Sequence, residues 1–252
     1  MAPPSLITPP HRPASIAWLV LGQDDCPGDD HWLGPAERDT VAAMAVARRR
    51  RDWRLGRWTA KRAIFAHSAE LGQLAASRHA TGFGRLEIRS AADGAPQAFF
   101  DGTPAPVSLS ISHRAGRALC AVAAPGLAIG CDLELIEPRS AAFVRDFFTA
   151  EECSWVEAAP ADQRALLANL IWSAKESALK VLRVGLGRDT RTVIADIPGP
   201  VTRSDWFSLS IWDRQSQCRF SGHGLIRDGF VLTVAADRTI GRPHEAGSRR
   251  RA

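Results

Sequence analysis

One four-residue pattern occurs twice in the sequence, and this repeat limits the possible folds more than any other feature. Residues 57–64 (RWTAKRAI) and 171–179 (IWSAKESAL) share Trp-Thr/Ser-Ala-Lys at the same relative positions. Composition predicts a long helix around each copy, followed by a loop and strands. Two interpretations are open: a coincidence between two amphipathic helices, or a chain built of two similar halves. In the second case Glu176 stands where the first half has Arg62, and the active carboxylate belongs to one half only.

Strand-like and helix-like segments follow one another without strict alternation. Helices are predicted over residues 34–72, in two segments, and over about 140–184, with a break near Pro160. The segment DGAPQAFFDGTPAP is predicted to be a turn-rich loop. Strands are predicted at SIAWLVL, LEIRS, VSLSISH, ALCAVAA, LAIGCDLELI, FSLSIWD, CRFSGHGLI and FVLTVAA. This order predicts the α+β class rather than a doubly wound parallel sheet.

The predicted organisation has four segments. They are a flexible lead-in at 1–14, an N-terminal lobe at 15–124, a C-terminal lobe with the metal site at 125–240, and a disordered basic tail at 241–252. The lead-in lacks the apolar stretch of a secretory signal, and no apolar run is long enough to span a membrane. The five cysteines are dispersed without a C-x-x-C pattern, which favours a reducing, cytoplasmic location.

Positive charge is concentrated in one part of the chain. The net charge is +5, and residues 47–62 contain seven arginines and one lysine. Such a block indicates a phosphate-rich ligand or an acidic partner. Nucleic acid is the alternative, but no helix-turn-helix, zinc or aromatic-platform signature accompanies the block. We therefore expect no binding to nucleic acid.

Glu176 lies on the apolar face of its predicted helix. Trp172, Glu176 and Leu179 are spaced i, i+4 and i+7, which places a carboxylate among apolar side chains. The simpler explanation is an ion pair with Lys180 at i+4, which contributes only about 0.2–0.5 kcal/mol in an isolated helix. The alternative is a functional role for the acid.

Two further acids share one face of a predicted strand. Asp132 and Glu134 are two residues apart, so their side chains point the same way. A solvated strand face is the simpler explanation, although the flanking apolar residues indicate burial of the other face. Together with Glu176 the pair would form an all-oxygen set suited to Mg²⁺, which commonly bridges substrate phosphates.

Two possible phosphate ligands accompany the acids. His113 ends a predicted strand, and a lone histidine is more often structural than catalytic. Beside a metal–phosphate site it could donate to a phosphate oxygen, and Lys180, one turn beyond Glu176, could do the same as a point charge.

These segments resemble the signature of the 4′-phosphopantetheinyl transferase superfamily, in its monomeric Sfp-type branch. IGCDLE followed some forty residues later by WSAKESALK resembles the family's Gly-x-Asp-x-Glu strand and its Trp/Phe-Ser-x-Lys-Glu helix. SLSISH, FFTAEE, LGRWTAKR and DGAP resemble further family segments. The matches run in order from about Arg48 to Lys180.

The resemblance implies a fold and a reaction. The fold would be two similar α/β lobes forming a pseudo-two-fold dimer within one chain, with the active site in the cleft between them, so the protein would act as a monomer. The enzyme would transfer the phosphopantetheine arm of coenzyme A to a serine of an acidic acyl, peptidyl or aryl carrier protein. Mg²⁺, or Mn²⁺ in its place, would neutralise the pyrophosphate. A non-catalytic coenzyme A-binding subunit of the same fold remains the alternative.

The resemblance also implies roles for individual residues. Ala95 departs from the family's Gly-Lys-Pro, and the missing lysine contact would have to come from Arg89 or the arginine block. The metal ligands would be Asp132, Glu134 and Glu176, and the catalytic residues Glu176, Lys180 and His113. The coenzyme A-binding residues would be Arg50, Arg54, Arg89, Gly94, Ala95, Pro96, Ser112, His113, Asp132 and Lys180.

Overall fold

The structure, a computed structural model, describes residues 13–70, 82–197, 201 and 205–248. Helices and three separate sheets alternate along these residues. The predicted α+β class is therefore confirmed.

The helices begin where the sequence supplies caps. Ser140 and Thr149 each accept a hydrogen bond from a backbone N–H in the first turn of the helix that follows, as N-cap residues do. The predicted break near Pro160 is confirmed, and a second break separates two shorter helices before it. The described helices are α1 (Pro35–Ala42), α2 (Ala47–Glu70), α3 (Ala141–Phe147), α4 (Ala150–Ala158) and α5 (Arg164–Leu182).

The strands form three sheets. They are β1 (Ile16–Gly22), β2 (Leu86–Ser90), β3 (Pro96–Phe100), β4 (Thr103–Pro104), β5 (Ser108–Arg114), β6 (Arg117–Ala123), β7 (Ile129–Leu135), β8 (Val193–Asp196), β9 (Phe207–Asp213), β10 (Cys218–Arg227), β11 (Phe230–Ala236) and β12 (His244–Glu245). The first sheet has the order β12-β1-β6-β5, the second β7-β11-β10-β9-β8, and the third β2-β3-β4.

The first two sheets pack face to face between the two long helices. Ile16 and Leu119 of the first sheet share a core with Leu133 and Leu232 of the second. Side chains on the outer face of the first sheet pack against α2, and those on the outer face of the second pack against α5. The long helices that carry the repeated pattern thus lie on opposite sides of a two-sheet core.

The order of elements repeats along the chain. A first strand (β1 or β7) is followed by a short helix (α1 or α4), a long helix (α2 or α5), two strands (β2–β3 or β8–β9) and a hairpin (β5–β6 or β10–β11). In each series the last strand pairs antiparallel with both the first strand and its own hairpin partner. The second series has α3 as an additional helix.

The lysine of the repeated pattern is buried in an ion pair in each series. Lys61 pairs with Glu37, the third residue of α1, and both side chains are buried. Lys175 pairs with Glu152, the third residue of α4, at 2.6 Å, and both are again buried. Burying a charged pair requires several correctly placed partners, so two matching pairs favour the interpretation of two similar halves over coincidence.

Each buried carboxylate also ties its helix to the neighbouring strand. Glu37 accepts from the backbone N–H of Gly34 at 2.9 Å and of Ile88 at 2.9 Å. Glu152 accepts from the backbone N–H of Thr149 at 2.9 Å and of Ala195 at 3.0 Å. The same set of bonds therefore connects helix, cap and strand in both series.

Three parts of the chain differ from the sequence-based prediction. The segment predicted as loop contains β3 and β4, whose hairpin turns at Asp101 and Gly102 with φ of 49° and 78°; an Asp-Gly turn flanked by aromatic residues is a hairpin signal. Strand β8 was not predicted. Residues 241–248, predicted as disordered tail, include β12, which pairs parallel with β1. Residues 1–12 and 249–252, with most of the predicted lead-in and the end of the predicted tail, lie outside the described residues.

In the described ranges no helix combines the length and the apolar character that crossing a bilayer needs.

Candidate active site

Helix α5 approaches strand β7 at a glycine. A Cβ atom on Gly130 would lie 1.9 Å from the carbonyl oxygen of Ser177 and 2.9 Å from Cβ of Lys180. Only glycine leaves room for this contact. The first position of the Gly-x-Asp-x-Glu pattern therefore sets how closely α5 packs on β7, and hence how near Glu176 and Lys180 come to the acids of the strand.

Asp132 is the centre of the site. Its Oδ1 accepts hydrogen bonds from Oγ of Ser112 at 2.8 Å and from Nζ of Lys180 at 2.9 Å. Its Oδ2 is buried and has no hydrogen-bond partner among the described residues. Two donors therefore fix Oδ1 of the carboxylate, and Oδ2 is available to a further ligand.

The carboxylate that accepts a hydrogen bond from Lys180 is that of Asp132. Besides Asp132, the ammonium of Lys180 donates to the carbonyl oxygen of Cys131 at 2.8 Å. Burial alone would lower the pKa of Lys180, but Asp132, Cys131 and Glu176 outweigh burial and raise it. Lys180 therefore carries its charge in the site, and the simple i, i+4 ion pair with Glu176 does not explain its position.

Glu176 is a half-buried acid whose negative charge is only partly compensated by neighbouring positive charge. Burial, followed by the charge of Asp132, raises the pKa of Glu176 to about 7, although Lys180 opposes this. Its Oε1 is buried and lacks a hydrogen-bond partner in the described part of the chain. A carboxyl group with this pKa can accept or release a proton near neutral pH.

Glu134 differs from the other two acids because both of its oxygens are engaged. Oε1 accepts from the indole N–H of Trp172 at 3.0 Å, and Oε2 accepts from Arg139 at 2.7 Å. Arg114 lies 3.4 Å from the same oxygen. Within the described ranges no group of three or more histidine, cysteine, aspartate or glutamate side chains is arranged to hold a metal ion. The ligand set of Asp132, Glu134 and Glu176 therefore stays a prediction, in which Glu134 is the member whose two oxygens already have donors.

The two remaining acids nevertheless fit a divalent cation. Asp132 Oδ2 and Glu176 Oε1 are both buried oxygens that lack donors from the described residues, and the negative charge of Asp132 raises the pKa of Glu176. Mg²⁺ is usually bound through one or two carboxylates, with waters and substrate phosphates completing the octahedron. The donors present match this mode without Glu134.

A cleft of about 620 Å³ opens beside the acids. Gly94, Ala95 and Pro96 line one wall, and Lys180 lines the other. The Gly-Ala-Pro loop and α5 therefore line the same space, which is large enough for a small-molecule ligand.

A second, basic cavity of about 450 Å³ adjoins the cleft through Ile111, which lines both. It contains the exposed His113 together with Arg48, Arg49 and Arg57. Predicted site residues therefore line two neighbouring cavities that have Ile111 in common.

The three arginines predicted as phosphate ligands are engaged elsewhere. Arg50 donates to the carbonyl of Met44 at 3.3 Å, and Arg54 binds the carbonyls of Pro27 and Asp29 and the carboxylate of Asp30. Arg89 pairs with Glu87 and stacks on Phe99. None of the three is among the described residues that line the two cavities.

Arg57 is the basic residue that sequence reasoning missed. It lines the basic cavity, its Nε donates to the carbonyl of Ile88 at 2.9 Å, and its guanidinium stacks over Trp53. Burial lowers its pKa, with Glu37 opposing. The signal was available, because Arg57 is the arginine of the LGRWTAKR segment on which the resemblance partly rests.

Buried carboxylate oxygens that lack donors among the described residues, a charged lysine and a basic cavity are features that a site for a phosphorylated ligand and a metal ion requires. Residues 128–235 match the family model of the 4′-phosphopantetheinyl transferase superfamily (ACPS). This segment contains Asp132, Glu134, Glu176 and Lys180. Over these residues the chain is similar to the 4′-phosphopantetheinyl transferase superfamily.

The comparisons with solved structures and with curated proteins carry no further argument about the family. Among solved structures the chain is similar to a holo-(acyl-carrier-protein) synthase from Bacillus anthracis str. Ames in complex with CoA (3′,5′-ADP). The two are 22% identical with a TM-score of 0.35, over 44% of this chain and 96% of that one. A search of curated proteins found no similar sequence.

Proposed function

We propose that the protein transfers the 4′-phosphopantetheine arm of coenzyme A to a serine hydroxyl of a carrier protein, in a Mg²⁺-dependent reaction. The observation that carries the proposal is the pair of open buried oxygens on Asp132 and Glu176 beside Lys180, in the segment that matches the superfamily. This arrangement provides what a reaction at a pyrophosphate requires: a cation site, a positive side chain and an acid that can take a proton.

The two neighbouring cavities offer separate places for the 3′-phosphate and the pyrophosphate of coenzyme A. We assign the 3′-phosphate to the basic cavity, where Arg57 and His113 can donate to it. The pyrophosphate then lies near Lys180, with the Gly-Ala-Pro loop on the opposite wall of the cleft. The proposal replaces Arg50, Arg54 and Arg89 by Arg57 as the main arginine ligand.

In the reaction, the serine oxygen attacks the β-phosphorus and the bond from phosphorus to the bridging oxygen breaks. The phosphopantetheine is thereby transferred, and adenosine 3′,5′-bisphosphate leaves. Asp132 and Glu176 would hold Mg²⁺, which would supply Lewis-acid neutralisation of the pyrophosphate. Glu176 is also the candidate to take the serine proton, directly or through a water.

Lys180 stabilises the negative charge that develops on the phosphate oxygens. Its ammonium has three donors, and two of them reach Asp132 and the carbonyl of Cys131. The third has no acceptor among the described residues, so it can donate to substrate. A fixed positive charge in a partly buried site stabilises developing charge far more than it would in water.

The partners follow from the same chemistry. Arg48 is 84% exposed and makes only a 4.0 Å ion pair with Asp52, so the start of α2 can attract an acidic carrier protein. We further propose that the chain acts as a monomer of two similar lobes in the cytoplasm, because the two neighbouring cavities together are lined by residues from both series of elements within one chain.

The test is a mass measurement. The protein is incubated with Mg²⁺, coenzyme A and an apo carrier protein, and the carrier should gain the mass of one phosphopantetheine group on its serine. A matched Asp132→Asn variant should give no gain. If the wild-type protein binds coenzyme A yet never modifies any carrier, it is a non-catalytic subunit, and salt-sensitive binding to nucleic acid without coenzyme A binding would favour the alternative of a nucleic-acid-binding protein.

A further inference from the structure

An ion pair crosses the cleft between the Gly-Ala-Pro loop and α5. Nε of Arg183 lies 2.7 Å from Oδ2 of Asp93, and Nη2 of the same arginine donates to Oδ1 at 3.0 Å. Asp93 belongs to the turn between β2 and β3, and Arg183 directly follows the last residue of α5. The pair therefore joins the first series of elements to the second, across 90 positions of the chain.

The backbone of Arg183 has a conformation that arginine rarely adopts. Its φ is 58° and its ψ is 31°, in the left-handed region where many helices end on glycine. A residue with a Cβ atom is strained there. The two side chains of the ion pair are 47% and 37% exposed, and a pair in contact with water returns little stability. Stability therefore does not explain the arginine, and backbone strain of this kind is concentrated at ligand-binding sites.

Few charged side chains line this cleft of about 620 Å³. Among the described residues that line it, the charged ones are Asp93, Lys180 and Arg183. Lys180 pairs with Asp132, and their side chains are only 28% and 6% exposed. The pair of Asp93 and Arg183 is more exposed and thus lies nearer the solvent-facing edge of the cleft. An anion that enters the cleft meets the carboxylate of Asp93 and a guanidinium that this carboxylate already neutralises.

The guanidinium of Arg183 suits a phosphate as well as it suits Asp93. Arginine offers two parallel N–H donors, and this fork binds carboxylate and phosphate oxygens in the same bidentate way. The half-exposed pair can separate without leaving a charge buried. A phosphate in the cleft can therefore replace Asp93 as the partner of Arg183.

Asp93 has a second set of bonds that does not depend on Arg183. Its Oδ1 also accepts from the backbone N–H of Ala95 at 3.1 Å, and the N–H of Ala91 donates to the carbonyl of Ala95 at 2.8 Å. The bond from Ala95, followed by that from Arg183, holds the pKa of Asp93 below its ordinary value, so this side chain is charged at neutral pH. The turn keeps its own hydrogen bonds when Arg183 leaves.

We infer that Arg183 is a substrate-binding residue that exchanges one anion for another. In the free protein it pairs with Asp93, and when coenzyme A enters the cleft it releases Asp93 and binds the pyrophosphate. Asp93 is then an internal competitor of the substrate. The inference rests on the proposed function and adds a residue to the same site.

The first test compares the affinities for coenzyme A, measured by calorimetric titration with Mg²⁺ present. Asp93→Asn should bind about two- to fivefold more tightly than wild type, the value of an exposed ion pair that no longer has to break. Arg183→Gln should bind about tenfold more weakly or worse, from the lower end of what a hydrogen bond to a charged group contributes. Asparagine at position 93 can still accept from Ala95, so the turn is retained.

Opposite signs are the signature of exchange. In the Arg183→Gln background, Asp93→Asn should bring a smaller gain than it does alone, because the two residues act on each other. A purely structural tie would weaken binding in both single variants, and the double variant would be no worse than either. That pattern, or affinities of both single variants equal to that of wild type, would overturn the inference.

Dephospho-coenzyme A identifies the phosphate. It retains the pyrophosphate, so the changes in affinity at positions 93 and 183 should match those with coenzyme A. If the effect of Arg183→Gln disappeared with this ligand, Arg183 would bind the 3′-phosphate and the assignment to the pyrophosphate would be wrong.

A glycine variant separates ligand binding from stability. Arg183→Gly suits the left-handed backbone, so it should melt no lower than wild type while it loses as much affinity as Arg183→Gln. A marked fall in its melting temperature would show that the arginine is kept for the fold, against the inference. The control is Asp101→Asn, which breaks a comparably exposed pair with Arg85. Neither residue is among the described ones that line the cleft, and the affinity should stay unchanged.

The inference and the proposed function can fail separately. If wild type binds coenzyme A and modifies a carrier, but Asp93→Asn and Arg183→Gln shift the affinity in the same direction, only the inference is wrong. A wild type that binds no coenzyme A and modifies no carrier overturns both.

Discussion

Replacing Glu176 with glutamine should make the metal-free protein more stable above neutral pH while it abolishes transfer. The reason is that Glu176 is buried beside Asp132, with Oε1 lacking a partner among the described residues, so its ionised form is unfavourable in the folded protein. Glutamine has nearly the shape of the protonated acid and carries no charge. The change therefore removes an unfavourable charge and a catalytic group at once.

The magnitude follows from the two pKa values. The pKa is about 7 in the folded protein and 4.5 as the ordinary value, a difference that corresponds to about 3 kcal/mol at 1.36 kcal/mol for each pKa unit. Because the folded state holds this proton more tightly, the free energy of unfolding falls as the pH rises from about 4.5 to about 7 and is lowest above that range. For a chain of this length, about 3 kcal/mol corresponds to roughly 6–12 °C in Tm.

The assay is a thermal melt of wild type and Glu176→Gln at pH 5 and pH 8, without metal and then with Mg²⁺ and coenzyme A. We expect the variant to melt higher than wild type by several degrees at pH 8 and to differ little at pH 5. Mg²⁺ with coenzyme A should raise the Tm of wild type at pH 8 and leave the variant nearly unchanged. Equal melting temperatures for the two proteins at both pH values would refute the reasoning, since the carboxylate would then be compensated in the fold.

Three other substitutions test separate parts of the site. Gly130→Ala should destabilise the protein by about 1–3 kcal/mol or more in urea unfolding, because the new Cβ would lie 1.9 Å from a carbonyl oxygen of α5; unchanged unfolding would show that the helix can move away. Lys180→Met should lower kcat/KM for coenzyme A by about 10- to 150-fold, the value of a hydrogen bond to a charged group, and unaltered kinetics would remove Lys180 from the mechanism. Arg57→Ala should raise the KM for coenzyme A about tenfold but not that for dephospho-coenzyme A. Arg50→Ala serves as its matched control, and an equal effect on both substrates would show that Arg57 does not bind the 3′-phosphate.

Short-range patterns predicted the fold class and pointed to residues that the structure places near Asp132. The repeated Trp-Thr/Ser-Ala-Lys pattern identified two equivalent helices because Lys61 and Lys175 each occupy a buried ion pair. The position of Glu176 on an apolar helix face indicated a functional residue, because burying a carboxylate without a charged partner costs free energy. In both cases the sequence carries the information locally, within one or two helical turns.

The contacts that the sequence could not predict depend on distant parts of the chain. A run of arginines on a helix points in several directions, so composition could not tell that Arg54 faces the loop at residues 27–30 while Arg57, three residues on, faces the cavity. Glu134 shares a strand face with Asp132, but its partners Arg139 and Trp172 come from later elements.

The pairing of β12 with β1 has a consequence for how the protein is made. Strand β1 is synthesised long before its parallel neighbour at His244 and Glu245. Until then the outer edge of β1, including the carbonyl of Trp18 that accepts from Ala246 at 2.8 Å, has no such partner. Pairings between distant segments form slowly, and open strand edges favour association between chains. The nascent N-terminal part should thus be the portion of this protein that most needs chaperone protection during translation.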